Sequence, residues 1–511
     1  MRLSRRLARL FATVFAHPLA PYVFALAVQV VFVGYVKDDA YIEYRYATNF
    51  AHGHGLTFNI GDPPVEGFTS FAWTLALGVA AFLRLPLLAL CKAASVVALG
   101  GIIETTARWV RLRGGDAGAA QMARWLVATN ASLLVWAQSG MEPVVTAFVV
   151  LLAVYRLEQR REMPAMLLLA LAAGLRPECH VVLILGALVV ARRRAWLPIV
   201  AAFTLVAALH AFRWRYFGSL VPNTALVKAG ALQWRVGLYT LGELATTSLA
   251  GLTILLSLVA VAVSVFVRGD DVGLLCATAL VVFIAYLVRI GRDEMFLVRL
   301  YLPVWPLALG LSAPWLTWLW RWRPPLGALV PLTVFGFGLG FTASRLHTIH
   351  YREIGERSHV VLADLMKQHA KPGDLVIFQD LGQTPWAALE LRFVDPIGLV
   401  DRTIAKLRWA EHASPFMHEP SDRAQRAIRD HIFALQPKLI ALVAYTRQFQ
   451  DEVRAEYDKA HTPAELEAIF GWFLDANPYH VGLHRDARFR AYHLVGVVRR
   501  KDDYWFVLYE R

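Results

Sequence analysis

The feature that most limits what this chain can become is a succession of long apolar runs. A bilayer core of about 30 Å asks for roughly 20 apolar residues per helix, and such runs cover 19–36, 118–137, 142–157, 195–212, 247–267, 272–290, 298–320 and 326–343. Two shorter runs, 164–175 and 178–191, are split by Arg176-Pro177-Glu178. The stretch 69–107 is long enough for two crossings but is broken at Arg84 and Pro86. Hydrophobic residues are 57% of the chain and charged residues 18%, against roughly 45–50% and about 25% in soluble domains. That composition excludes an ordinary soluble enzyme, and it excludes disorder, which needs low hydrophobicity. Cys91, Cys179 and Cys276 lie in or beside apolar runs, as buried small hydrophobes do, and not as a disulfide framework or zinc site.

Charge divides the chain. From Ser344 onward there are 23 basic and 23 acidic residues, so the preceding 343 hold 29 and 16 and carry the whole net +13. The expectation is a polytopic α-helical membrane body, 1–343, followed by a C-terminal soluble α/β domain, 344–511. Cytoplasmic loops are rich in Lys and Arg. The basic clusters at 2–9, 108–113, 156–161, 192–194 and 321–323 share one face only if 69–107 makes a net odd number of crossings. This gives about eleven spans, a cytoplasmic N-terminus, and an extracytoplasmic tail and loop 37–68. Twelve spans would put the tail inside and scatter the clusters. Arg45, Arg176, Arg213, Arg215, Lys228, Arg292 and Arg299 then fall on the outer face, where few cations are expected. An anionic lipid headgroup would explain them; solvated or snorkelling side chains are the plainer alternative.

The first outer loop opens with Asp38-Asp39. From Ala40 to Phe50 aromatic and apolar residues recur at helical spacing, which suits an amphipathic helix lying at the interface. The two carboxylates suit its N-cap and the helix dipole. A pair of anions at a membrane surface also suits a metal site or a general base. His52 and His54 read as surface residues. In the tail, helices at 353–369, from Thr384, at 401–409 and at 421–435 alternate with strand-like pieces at 375–378, 392–395 and 438–443. That alternation predicts a small parallel sheet, and 492–509 reads as an antiparallel pair. Asp380 and Asp395 close strands, where open α/β sheets place functional groups. No Gly-rich fingerprint accompanies them, so no nucleotide cofactor is expected.

The loop motifs carry a family resemblance. Asp38-Asp39-Ala40-Tyr41-Ile42, Arg45-Tyr46, Asn49, Gly53, Gly55, Phe58-Asn59 and Glu66-Gly67-Phe68-Thr69-Ser70 resemble the first outer loop of GT-C glycosyltransferases of the mycobacterial terminal arabinofuranosyltransferase type. Further matches are Trp136 with Ser139-Gly140-Met141-Glu142, Arg176-Pro177-Glu178, Tyr216-Phe217-Gly218, Pro222-Asn223-Thr224 with Lys228, Gly291-Arg292-Asp293 with Arg299, Asp380-Leu381-Gly382 and Asp395–Asp401. Met141 stands where Leu is commoner.

The resemblance covers nearly the whole chain and implies a GT-C fold and transfer of a sugar, arabinofuranose first, from a polyprenyl-phosphate donor. The acceptor would be a cell-surface glycan, or a surface protein such as pilin, at the outer face of the inner membrane. Asp38 or Asp39 would be the base, or a nucleophile if configuration is retained, with a divalent cation (Mg, Mn or Ca) left open. Lys228, Arg292 and Arg299, then Arg45 and Arg176, are candidates for the donor phosphate. For Arg176 a salt bridge to Glu178 or Glu142 is the plain alternative. Tyr41, Asn59, Glu66, Glu142, Glu178, Asn223, Asp293, Asp380 and Gln383 are candidates for sugar or acceptor contacts; Asn223 reads equally as a turn residue. The competing class is a polytopic transporter or glycolipid flippase. It would show internal repeats and midplane charges, and neither stands out.

Overall fold

The computed structural model describes residues 13–228, 234–246, 250–290, 295, 297–322, 336, 340, 342–344, 346–349, 353–411, 420–501 and 504–511. They form two compact units. The first is Met1–Tyr35, Leu88–Leu209 and Leu232–His347; the second is Val36–Leu87, His210–Ala231 and Thr348–Arg511. The units do not follow a cut after residue 343. The first outer loop and the segment after Leu209 belong with the tail.

Among the described residues, three helices are long and apolar enough to cross a membrane: Leu87–Leu112, Trp196–Phe217 and Asp271–Ile290. Several expected runs are broken by local chemistry. The run 118–137 is two helices, Ala117–Ala128 and Ala131–Trp136. Asn130 restarts the second by accepting a hydrogen bond from Leu133 N at 3.0 Å, a side-chain cap. The run 298–320 begins as a 3-10 turn, Arg299–Val304, containing Pro303, and continues as Trp305–Trp322. Arg176 ends the helix Glu162–Leu175 in extended backbone before the turn Pro177–Cys179. Most of 326–343 lies outside the described residues.

In the second unit, Phe71–Phe82 is an apolar helix of 12 residues. At 1.5 Å per residue it is about 18 Å long, short of a bilayer core. Arg84, at φ 57°, turns the chain after it. The helix Ala40–Ala51 departs from expectation. Every residue from Ala40 to Asn49 is buried, so it is enclosed in protein and is not an amphipathic helix with a wet face. Its polar side chains are met by protein groups: Asn49 donates to Thr57 O at 2.9 Å, and Tyr46 to Val65 O at 2.6 Å.

Among the described residues the tail folds on five strands: β1 (Leu375–Ile377), β2 (Arg392–Val394), β3 (Leu439–Tyr445), β4 (His493–Arg499) and β5 (Tyr504–Glu510). Their order is β2-β1-β3-β5-β4. β1 pairs parallel with β2 and β3, while β5 pairs antiparallel with β3 and β4. The parallel and antiparallel pieces expected separately are one mixed sheet. β3 is buried almost throughout, and Ile428, Ile432, Phe470, Leu474 and Trp505 pack in the core around it.

Candidate active site around Asp38

Asp38 sits where the chain turns into the helix Ala40–Ala51, and its carboxylate does not cap that helix. The N-cap position is Asp39, in helical backbone and with no side-chain hydrogen bond to the first turn. Capping is therefore not what these two acids are for. Asp38 Oδ1 instead accepts from the backbone N–H of Gln383 at 2.8 Å, a residue 345 positions away. Gly382 abuts the same carboxylate so closely that a Cβ there would collide with Asp38 Oδ2 and with its carbonyl. Asp38 is thus clasped by the turn between β1 and the helix Gln383–Ala387, while its side chain stays 22% exposed. A charge held by a backbone donor yet open to solvent can meet a substrate hydroxyl.

Charged groups of both signs surround it. His359 Nε2 lies 3.9 Å from Asp38 Oδ1. Lys37 Nζ is 3.7 Å from Glu353 Oε1, and Arg500 reaches Glu353 Oε2 at 3.3 Å. Burial works against the Lys37 charge, but Glu353, Asp39 and Asp38 outweigh it and hold Lys37 above the ordinary lysine range. The Asp380 carboxyl is pushed up, first by burial and further by Asp38, against the opposing pull of His359 and Arg500. Beside Asp38, the Tyr41 ring meets Tyr44 edge-on at 5.3 Å and Trp386 at 6.4 Å. Trp386 is only half-buried. Such a group of rings suits a sugar face.

Arg45 departs most from its expected role. Its guanidinium is buried among backbone carbonyls: Phe58 O at 2.7 Å, Ala388 O at 3.2 Å, Leu391 O at 2.7 Å, Leu389 O at 3.5 Å, and Pro385 O. It also lies 4.7 Å above the Phe58 ring and 5.3 Å from that of Phe393. All its donors are engaged, so it joins the first outer loop to the tail and is not placed to clamp a phosphate. Arg176 is likewise committed, to Glu142 at 2.7 Å and to Glu178, with all three side chains buried. That removes Arg176 from the phosphate candidates and Glu142 and Glu178 from the sugar candidates, in favour of the salt bridge.

Three more candidates prove to be struts. Asn59 pairs with β2 as a strand would, donating to Phe393 O at 2.8 Å and accepting from Phe393 N at 2.9 Å. β2 is an edge strand, whose unpaired groups need covering. Asn223 donates to Gly398 O at 2.6 Å and Leu399 O at 3.0 Å. Glu66 takes Arg213 Nε at 3.0 Å with both side chains buried, and burial raises its carboxyl to about 7. A group whose folded pKa is raised favours the fold below its unfolded pKa, and that support is lost as pH rises through the folded value. The unfolding temperature of the wild type should therefore fall from about pH 4.5 to 7 more than that of Glu66→Gln, read by thermal melts across that range.

Gln383 does meet Asp38, but through its backbone. Arg299 is buried in the first unit, 5.7 Å above the Trp136 ring. Lys228 ends the helix Asn223–Lys228, its side chain outside the described residues, and Arg292 and Asp293 lie outside them altogether. Among the described residues no three His, Cys, Asp or Glu side chains gather as a metal site. His359 was not visible from sequence, since a lone His in a helix carries no motif.

Residues 347–509 match a family model described as a domain of unknown function, DUF8728. No curated protein sequence matches the chain. Among solved structures it is similar to ArnT from Cupriavidus metallidurans bound to undecaprenyl phosphate, at 13% identity and a TM-score of 0.51, covering 96% of this chain and 97% of that one. Apo ArnT from the same organism gives 13%, 0.52, and 98% of both chains. Archaeal oligosaccharyltransferase AglB from Archaeoglobus fulgidus, in complex with an inhibitory peptide and a dolichol-phosphate, gives 11% and 0.53, over 85% of this chain and 70% of that one. The chain therefore shares the fold of ArnT and AglB, a largely helical body with a C-terminal α/β domain that has five strands among the described residues.

Proposed function

We propose that this protein is a glycosyltransferase of the inner membrane that moves a sugar from a polyprenyl-phosphate donor to a cell-surface glycan, with Asp38 taking the proton of the attacking hydroxyl. The observation that carries this is the Asp38 carboxylate, clasped by the Gln383 N–H yet open to solvent, on a GT-C fold. Lipid phosphates bound to ArnT and AglB support the donor class. As the acceptor oxygen bonds to the anomeric carbon, the bond from that carbon to the phosphate oxygen breaks, and its electron pair leaves on the phosphate. A general base in place lowers that barrier, and the growing phosphate charge calls for cations. Lys228, which belongs to the same unit as Asp38, is the proposed cation for it. Asp39 acts as the companion charge that keeps Lys37 protonated beside the site.

Arabinofuranose leads among donors on the strength of the loop motifs alone. Incubating the purified protein with a panel of polyprenyl-phosphoryl sugars tests both levels. Transfer from the arabinofuranosyl donor supports the specific reading, transfer only from another sugar removes it, and transfer from none removes the activity. The product's anomeric configuration separates a base from a nucleophile at Asp38. The orientation follows the loop charges, with the tail extracytoplasmic. A Trp472→Cys variant, at an exposed tail position, should be labelled by an impermeant thiol reagent added from outside; labelling only after permeabilisation would reverse the topology.

A further inference from the structure

Resting on Asp38 as the base, we propose that His359 is its proton relay: the C-terminal domain supplies an imidazole that receives from Asp38 the proton taken from the acceptor. His359 is buried in the helix Ser358–His369, behind the more exposed carboxylate. Its ring is held from the far side. Thr384 Oγ1 donates to His359 O at 3.1 Å and stands 3.1 Å from His359 Nδ1. The hydroxyl has one proton and spends it on the carbonyl, so Nδ1 must be the N–H that donates to Thr384. In the neutral ring this leaves the lone pair on Nε2.

That Nε2 is buried and has no hydrogen-bond partner, and it faces Asp38 Oδ1 at 3.9 Å. An acceptor aimed at a carboxylate is a costly arrangement in the resting site. It becomes favourable once one proton is added to the pair. The step balances simply. The acceptor O–H proton passes to Asp38 Oδ1 as the new glycosidic bond forms and the phosphate leaves. The carboxyl then closes the gap by a side-chain rotation and gives the proton to Nε2, leaving a carboxylate–imidazolium pair. Asp38 returns to its anionic form while product is still near, and the imidazolium later loses its proton through the same carboxylate to water. Around the ring, Asp38 comes from the first loop, Asp380 from the loop after β1, and Phe506 of β5 packs against it at 4.9 Å. His359 acts through Asp38 and is a positioning residue that also carries the proton.

The test is chemical rescue of His359→Ala in the full-length protein. Transfer should fall by about 100-fold or more and be restored at least about tenfold by added imidazole, but not by pyrazole, which has the same size and little basicity. Equal rescue by both azoles would make the ring a space-filler and overturn the relay, as would wild-type turnover in the variant. His359→Gln, which keeps a polar side chain for Thr384, guards against misfolding: with wild-type melting behaviour it should be as slow as His359→Ala, and full activity there also overturns the proposal. Full activity in Asp38→Asn would instead remove the base on which the relay rests. An inactive Asp38→Asn beside a fully active His359→Ala leaves that base intact and removes only the relay.

Discussion

Replacing Asp38 by Asn is expected to cut sugar transfer by about 100- to 10,000-fold, the range a positioned general base supplies. The protein should otherwise be unaltered. The Asn Oδ1 still accepts from the Gln383 N–H that clasps Asp38 at 2.8 Å, so the loop stays docked and melting should shift little. What disappears is the negative charge and the lone pair of useful basicity. Asp39→Asn acts on a different quantity: one of the carboxylates that hold Lys37 charged is lost, and transfer should fall as well. Rates measured at saturating donor, with melting curves alongside, check both. Full activity in both variants would end the assignment of either acid to the chemistry.

Arg45→Met should do the opposite, costing stability first. The guanidinium satisfies carbonyls of Phe58, Pro385, Ala388, Leu389 and Leu391. Methionine fills much of the volume against Phe58 and Phe393 but donates nothing. Leaving several buried acceptors unpaired places the loss at about 3–5 kcal/mol, similar to breaking a buried charged pair. A lowered melting temperature for the second unit, with the N-terminal loop and tail released to proteolysis, is the expected result. An unchanged melt with a raised KM for the lipid donor would restore Arg45 to the phosphate clamp.

These two residues show what the sequence could and could not disclose. Apolar runs of membrane length announce helices because bilayer thickness sets a length scale that survives without tertiary knowledge. Alternating short strands and helices in the tail likewise announce α/β packing. The break at Asn130 was hidden because a cap inside an apolar run leaves the composition unchanged. Asp38 stood out as a candidate because two adjacent acids after a span have few structural uses. Arg45 misled for a related reason. Its position showed an unexplained cation, but four of its five carbonyl partners lie about 340 positions later in the chain, and carbonyls have no sequence signature. Nor did Glu142, Arg176 and Glu178 declare that they neutralise one another. Gly382 and His359 gain meaning only when the tail folds against the first loop.

The most direct test of the central claim is to reconstitute the purified protein in liposomes with a labelled polyprenyl-phosphoryl sugar and an acceptor glycan, and to follow both halves of the donor. The account predicts that label appears on the acceptor while free polyprenyl phosphate accumulates in equal amount, and that Asp38→Asn does neither. Movement of the intact lipid-linked sugar between leaflets, with no free polyprenyl phosphate and no labelled acceptor, would contradict it and make the protein a flippase.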